Sequence, residues 1–217
     1  FRKVPPDDRA HEILERFVGP GTPPFFLFVG KLSGRRNLPL LLEAFAEFKR
    51  RPAAPHKLLL VGLNIHNLDL PAHLARLGIG GDVVHHSYLP DEELNVLYNA
   101  AQAFISPATY ETVSLPVMEA QATGTPVICI GTAGMREVTG GAALFIPTLG
   151  VGEMVEAMRR IATDRALGAD LGARGLEHAR QFSWRRCSEE TMAVLEEAAD
   201  MPPRLAPAPA PVRGART

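Results

Sequence analysis

Short apolar runs alternate along the chain with longer stretches in which apolar residues recur every three or four positions. Residues 25–29, 57–61, 83–86, 103–106, 127–130 and 143–146 are rich in Val, Ile, Leu and Phe and read as strands. Between them, residues 37–50, 68–77, 91–101 and 115–123 carry helical periodicity. Strands this uniformly apolar are buried on both faces, as in a parallel sheet covered by helices on either side. The predicted fold class is α/β, a doubly wound, mainly parallel sheet of six strands. After Val138 the rhythm changes, and residues 153–161, 167–181 and 184–199 read as successive helices. From Met201 onward the chain is dominated by Pro and Ala, cannot build a packed core, and is expected to be extended or disordered. The expected organisation is one body over residues 1–200 and a tail over 201–217.

In doubly wound folds ligands sit beyond the carboxyl ends of the strands, so the loops there are where chemistry is sought. The most informative is Tyr110-Glu111-Thr112-Val113-Ser114-Leu115-Pro116-Val117-Met118-Glu119, with two carboxylates eight positions apart. Pro116 belongs in the first turn of a helix, which places the helix start near Ser114, a suitable N-cap. Glu111 then precedes the helix and Glu119 lies one turn inside it. Such a junction offers unpaired amides and the positive end of a helix dipole to a phosphate, with a carboxylate on either side for hydroxyl groups. Phosphate plus hydroxyls describes a nucleotide sugar.

Three further loops share that edge. Gly30-Lys31-Leu32-Ser33-Gly34-Arg35-Arg36-Asn37 follows the first strand, and its glycines permit tight turns or close approach of a ligand while its cations suit a diphosphate. After the third strand, Tyr88 and Leu89 offer an aromatic and an aliphatic side chain as one wall for a flat base. Gly131 to Glu137 reads as a small-residue turn through which backbone could approach a ligand. His85 and His86 point to opposite faces of a regular strand, and Trp184 is expected to anchor the last helix in the core.

Composition narrows the classes of partner. A 217-residue chain that is 46% hydrophobic and 22% charged, with a formal net charge of -1, gives no global argument for nucleic acid or an anionic membrane. Its apolar runs are too short to span a bilayer, so no transmembrane segment is expected. Cys129 and Cys187 lack the spacing of a metal site or a redox pair, consistent with a reduced, cytoplasmic protein.

Taken in order, several pieces form a set: Phe28-Val29-Gly30-Lys31-Leu32, Asn37 to Phe45, Leu58 to Gly62, Leu89-Pro90-Asp91-Glu92-Glu93-Leu94 through Tyr98, Ser106-Pro107, Glu111 through Glu119-Ala120, and Gly124-Thr125-Pro126-Val127-Ile128. This set, from about Phe25 to Trp184, resembles the C-terminal, nucleotide-sugar-binding domain of GT-B fold glycosyltransferases, in particular the retaining "group one" family with its E-x7-E motif. The resemblance implies that Lys31 and Arg36 bind the donor diphosphate and stabilise its departure. It implies that Glu111 contacts the donor sugar or supports the reacting face, and that Glu119 holds the ribose hydroxyls. Backbone amides of Val113, Ser114 and Leu115 would meet the phosphates. Thr112, Val113 and Ser114 stand where the family typically has Gly-Phe-Gly, which puts side chains beside the donor.

The function so implied is transfer of a hexose-type sugar from a nucleotide-sugar donor to an acceptor hydroxyl, with no metal and no cofactor. How configuration is retained, through a covalent Glu111 adduct or same-face attack, stays open. A GT-B enzyme uses two such domains, and the acceptor-binding one has no counterpart before Phe25, so the chain is expected to be inactive by itself. The missing N-terminal domain would receive a sugar, lipid or small-molecule acceptor and could hold the enzyme at the inner membrane. By the same analogy the helix over 184–199 would lean toward that domain, leaving an apolar strip that favours a homo-oligomer. The alternatives are a GT-B-like epimerase or phosphorylase, and a non-catalytic nucleotide-sugar-binding or scaffolding module.

Overall fold

The computed structural model describes residues 1–50, 54–65, 67–111 and 113–200. The expected Pro/Ala-rich tail and Thr112 lie outside them. The described chain falls into two units, Phe1–Gln181 and a second that starts at Phe182.

The first unit is built on six strands: β1 (Phe25–Val29), β2 (Lys57–Val61), β3 (Val83–His86), β4 (Ala103–Ser106), β5 (Val127–Ile130) and β6 (Leu144–Ile146). All pair in parallel, in the order β3-β2-β1-β4-β5-β6. This bears out the predicted α/β class, and it places the reversal of strand order between β1 and β4, where Phe26 is opposite Ala103. Each strand sends alternate residues to opposite faces. Phe26, Phe28, Leu58, Leu60, Ile105 and Ile128 belong to one core, whereas Phe25, Leu27, Leu59, Val61, Phe104 and Val127 belong to the other.

Helices cover both faces. The first core is closed by Leu38, Leu41, Leu42 and Phe45 of α2 (Leu38–Lys49), Leu70 of α3 (Leu70–Leu77) and Met154, Met158 and Ile161 of α7 (Val151–Thr163). The second is closed by Leu94, Leu97 and Tyr98 of α4 (Asp91–Ala100), Val117 and Ala120 of α5 (Leu115–Ala122) and Met135 of α6 (Ala133–Thr139), with Leu14 and Phe17 of α1 (Asp8–Phe17) packed against it. Burying each such Leu or Phe stabilises the fold by about 1.5–3 kcal/mol. Finally α8 (Arg165–Ala179) packs on α5 and α7.

Two departures from expectation concern helices. Residues 131–137 are not simply a turn: Thr132 accepts from the Met135 amide at 3.2 Å and so caps α6, which ends at Gly140 in the left-handed conformation. The opening helix α1 is not among the expected elements, although Ala10, Ile13, Leu14 and Phe17 of its DRAHEILERF stand at helical spacing; Ala10 and Ile13 are buried, and Leu14 and Phe17 pack on the second core. Asp7 starts it by accepting from the Ala10 amide at 2.7 Å.

The described part of the second unit holds α9 (Trp184–Asp200), none of whose residues is buried. Trp184 is therefore no core anchor. It is 76% exposed, together with Met192, Val194 and Leu195, because a single helix has no core in which to seat an indole.

Candidate functional site

Three contacts join the loop after β1 to the loop after β4, across the point where strand order reverses. Arg36 Nη1 pairs with Glu111 Oε1 at 2.9 Å, and the Glu111 side chain is only 14% exposed. The Arg35 guanidinium lies 5.9 Å from the centre of the Tyr110 ring. Asn37 donates from Nδ2 to the Pro107 carbonyl at 2.8 Å. Asn37 holds the left-handed conformation, with φ of 55°, between a 3-10 turn over Gly34–Arg36 and the start of α2, so one strained residue fixes both the turn and the bridge.

Glycine is required where these loops crowd together. A Cβ on Gly30 would stand 2.9 Å from Arg36 Nη1, so its absence lets the guanidinium lie over the backbone. A Cβ on Gly62, at φ of 147°, would meet the Gly30 carbonyl oxygen at 2.0 Å. The loops after β1 and β2 are thus in direct backbone contact, continued by Leu32 donating to the Leu63 carbonyl at 2.9 Å. On the other side a Cβ on Gly134 would lie 3.6 Å from the Glu111 carbonyl oxygen. The backbone approaching that small-residue stretch is the chain's own.

At the start of α5, Ser114 occupies the N-cap position with extended backbone and is buried, although its side chain makes no capping bond. Its carbonyl accepts from Val117 and Met118 at 3.1 and 3.2 Å. Val113 and Leu115 are exposed beside it, at the rim, and Lys31 is exposed on the loop after β1 with no ion pair among the described residues. Glu119, one turn into α5, is held from α4: the fully buried Tyr98 donates its hydroxyl to Glu119 Oε2 at 2.9 Å. Burial pushes the Glu119 carboxyl above its ordinary value of 4.5, and the Tyr98 hydrogen bond works against that rise. Burial, then the Glu119 charge, push the Tyr98 phenol well above 10.0.

The structure brings Gly30, Arg36 and Glu111 together, and puts Val113, Ser114 and Leu115 on the next few residues of the same edge. It separates the two residues expected to flank a base. Tyr88 is 74% exposed at the end of β3, two strands out from β1, whereas Leu89 is buried in the second core and forms no wall. Leu89 precedes the N-cap Pro90, and Leu94, in the same core, stands at the fourth helical position, the arrangement of a hydrophobic staple. His85 and His86 bond elsewhere, to the Gly62 and Phe17 carbonyls. Sequence reasoning missed the roles of Asn37 and Tyr98. An Asn between a basic turn and Leu-Pro was a usable signal for the first, and nothing in the sequence marked the second.

The edge is open. Clefts of about 290 and 470 Å³ lie elsewhere, the first lined by residues preceding β4 and β5 such as Ala101, Gln102 and Pro126, the second along β6 and α7. Among the described residues no three His, Cys, Asp or Glu side chains converge as metal ligands, and no helix is long and apolar enough to cross a membrane.

A parallel sheet of this order, with a basic loop facing the Glu111 segment that leads into α5 across the reversal, has the Rossmann-like arrangement of one half of a GT-B transferase. The chain belongs to the family described as glycosyl transferases group 1, whose model matches residues 11–178. Among curated relatives, the O-antigen chain mannosyltransferase B of Escherichia coli is 31% identical over 169 residues, 77% of this chain and 44% of that protein. Among solved structures, Anabaena HepE in complex with UDP-glucose superposes with a TM-score of 0.77 at 17% identity, over 88% of this chain and 54% of that one. The C-terminal domain of a group 1 family protein from Francisella tularensis gives 0.67 at 15% identity and is covered over 93% of its length, by 81% of this chain. The chain spans under half the length of the first curated relatives it matches.

Proposed function

We propose that this chain is the donor-binding domain of a retaining glycosyltransferase, holding a nucleoside diphosphate sugar at the carboxyl edge of β1 and β4 for transfer of a hexose to an acceptor hydroxyl. The observation that carries the reading is the meeting of the two loops at the strand-order reversal, where Arg36 and Glu111 pair at 2.9 Å directly before the start of α5. Nucleotides sit at that crevice in doubly wound folds, and the Anabaena neighbour was solved with UDP-glucose.

Lys31 and Arg36 bind the diphosphate, with the first amides of α5 directed at the same group. As the bond to the sugar breaks, negative charge grows on the departing phosphate. Fixed cations and amide dipoles aimed at that charge lower the barrier, a single donor commonly contributing about 3 kcal/mol. Glu111 stands at the sugar end and Glu119 at the ribose. No step is assigned to a metal. The part of this domain is to hold the donor, and the acceptor enters from a second domain.

Isothermal titration with UDP, GDP, ADP and their sugars tests the reading. Binding of at least one is expected, and none at millimolar concentration overturns it. Lys31→Ala and Glu119→Ala are each expected to weaken the bound nucleotide by about tenfold or more, the loss of one charge-assisted contact. Unchanged affinity in both would favour a scaffolding module instead.

A further inference from the structure

We propose that Tyr98 is a positioning residue for the donor's ribose, acting through Glu119; the inference rests on the assignment of Glu119 above. Tyr98 lies on α4 with its ring fully buried in the second core, against Phe104 at 5.7 Å between ring centres, so the ring cannot swing. Its hydroxyl reaches Glu119 Oε2 at 2.9 Å. Its backbone is fixed too, since the Tyr98 carbonyl accepts from the Thr125 hydroxyl, which itself bonds Thr123. The phenol is thus a rigid donor delivered from one helix to a half-buried carboxylate on the next.

A glutamate side chain has three rotatable bonds, and its terminal torsion is broad. One fixed donor on Oε2 restricts that torsion and leaves Oε1 as the free acceptor. A single oriented carboxylate oxygen suits a vicinal diol, because both hydroxyl protons can be directed at it. The ordering of Glu119 is then already complete before the ligand arrives. Tyr98 touches no ligand in this arrangement.

Tyr98→Phe removes the hydroxyl and keeps the buried ring, so the fold is retained. Its affinity is compared with that of the unaltered chain for two probes, the nucleoside diphosphate that binds best and its 2′,3′-dideoxy form. Tyr98→Phe is expected to weaken the ribose form by about three- to tenfold and to leave the dideoxy form unchanged. Equal weakening of both, or of neither, overturns the proposal, since a structural role alone would not distinguish the sugars. Glu119→Ala separates the two levels. If Glu119→Ala costs the ribose form selectively while Tyr98→Phe does not, the positioning role falls and the Glu119 assignment stands. If Glu119→Ala shows no such selectivity, the assignment falls and Tyr98 falls with it.

Discussion

His56 is buried against two rings, stacked on Phe26 at 5.3 Å and edge-on to Phe48 at 5.2 Å. Gln102 directs its amide nitrogen at the Ile161 and Ala162 carbonyls, so its oxygen faces His56 Nε2, which carries the proton. Nδ1 has no partner. Burial pulls the imidazole below its ordinary value of 6.5, with the Gln102 bond opposing and the Lys49 charge assisting. A histidine that resists protonation when folded stabilises the fold fully above about 6.5; below it the unfolded chain takes up the proton first and stability is lost. Thermal melts from pH 7 to 5 should therefore fall more steeply for the native chain than for His56→Gln, and parallel curves would contradict this. Single residues were unevenly legible in the sequence. Glu111 and Arg36 stood out because they lie in loops beyond the carboxyl ends of strands, where ligands sit in this architecture, and the structure pairs them. Leu89 misled because a leucine at a helix entrance reads equally as ligand wall or as staple, and only packing decides.

Among the elements, α8 approaches its neighbours through glycines. A Cβ on Gly172 would meet the Gly124 carbonyl oxygen at 2.4 Å, whereas one on Gly168 would meet only Pro126 Cγ at 3.8 Å, an ordinary contact. Alanine normally favours a helix over glycine by up to about 1 kcal/mol. Gly168→Ala should therefore leave stability unchanged or raise it within that range. Gly172→Ala should lower it by about 1–3 kcal/mol, because backbone must move. Urea denaturation of the pair checks both signs. All six strands were readable from apolar runs, since most strand positions are buried; the edge strand β3, with His85 and His86, is the exception. The helices α1 and α6 were not. The first carries an apolar stripe, Ala10, Ile13, Leu14 and Phe17, but lies before the strand–helix alternation begins, and the second is seven residues long, too short for a full stripe.

At the scale of the molecule, the sheet brings residues 70 or more apart in sequence to one edge, as Asn37 and Pro107 show. Sequence order alone supplied the two loops; it was the reversal between β1 and β4 that set them face to face. That meeting has a kinetic consequence. Glu111 offsets one of the three cations of the loop after β1, Lys31, Arg35 and Arg36, so at long range it weakens the pull of the crevice on an approaching anion. Association measured by stopped flow should quicken as ionic strength is lowered, through Lys31 and Arg35, but less than three unopposed cations would give. Glu111→Gln should restore the pull, giving at least about a twofold faster encounter in dilute buffer and a steeper dependence on salt, which vanishes once screening shortens to a few ångström. An ion pair that orders the crevice therefore also slows its capture of a charged guest.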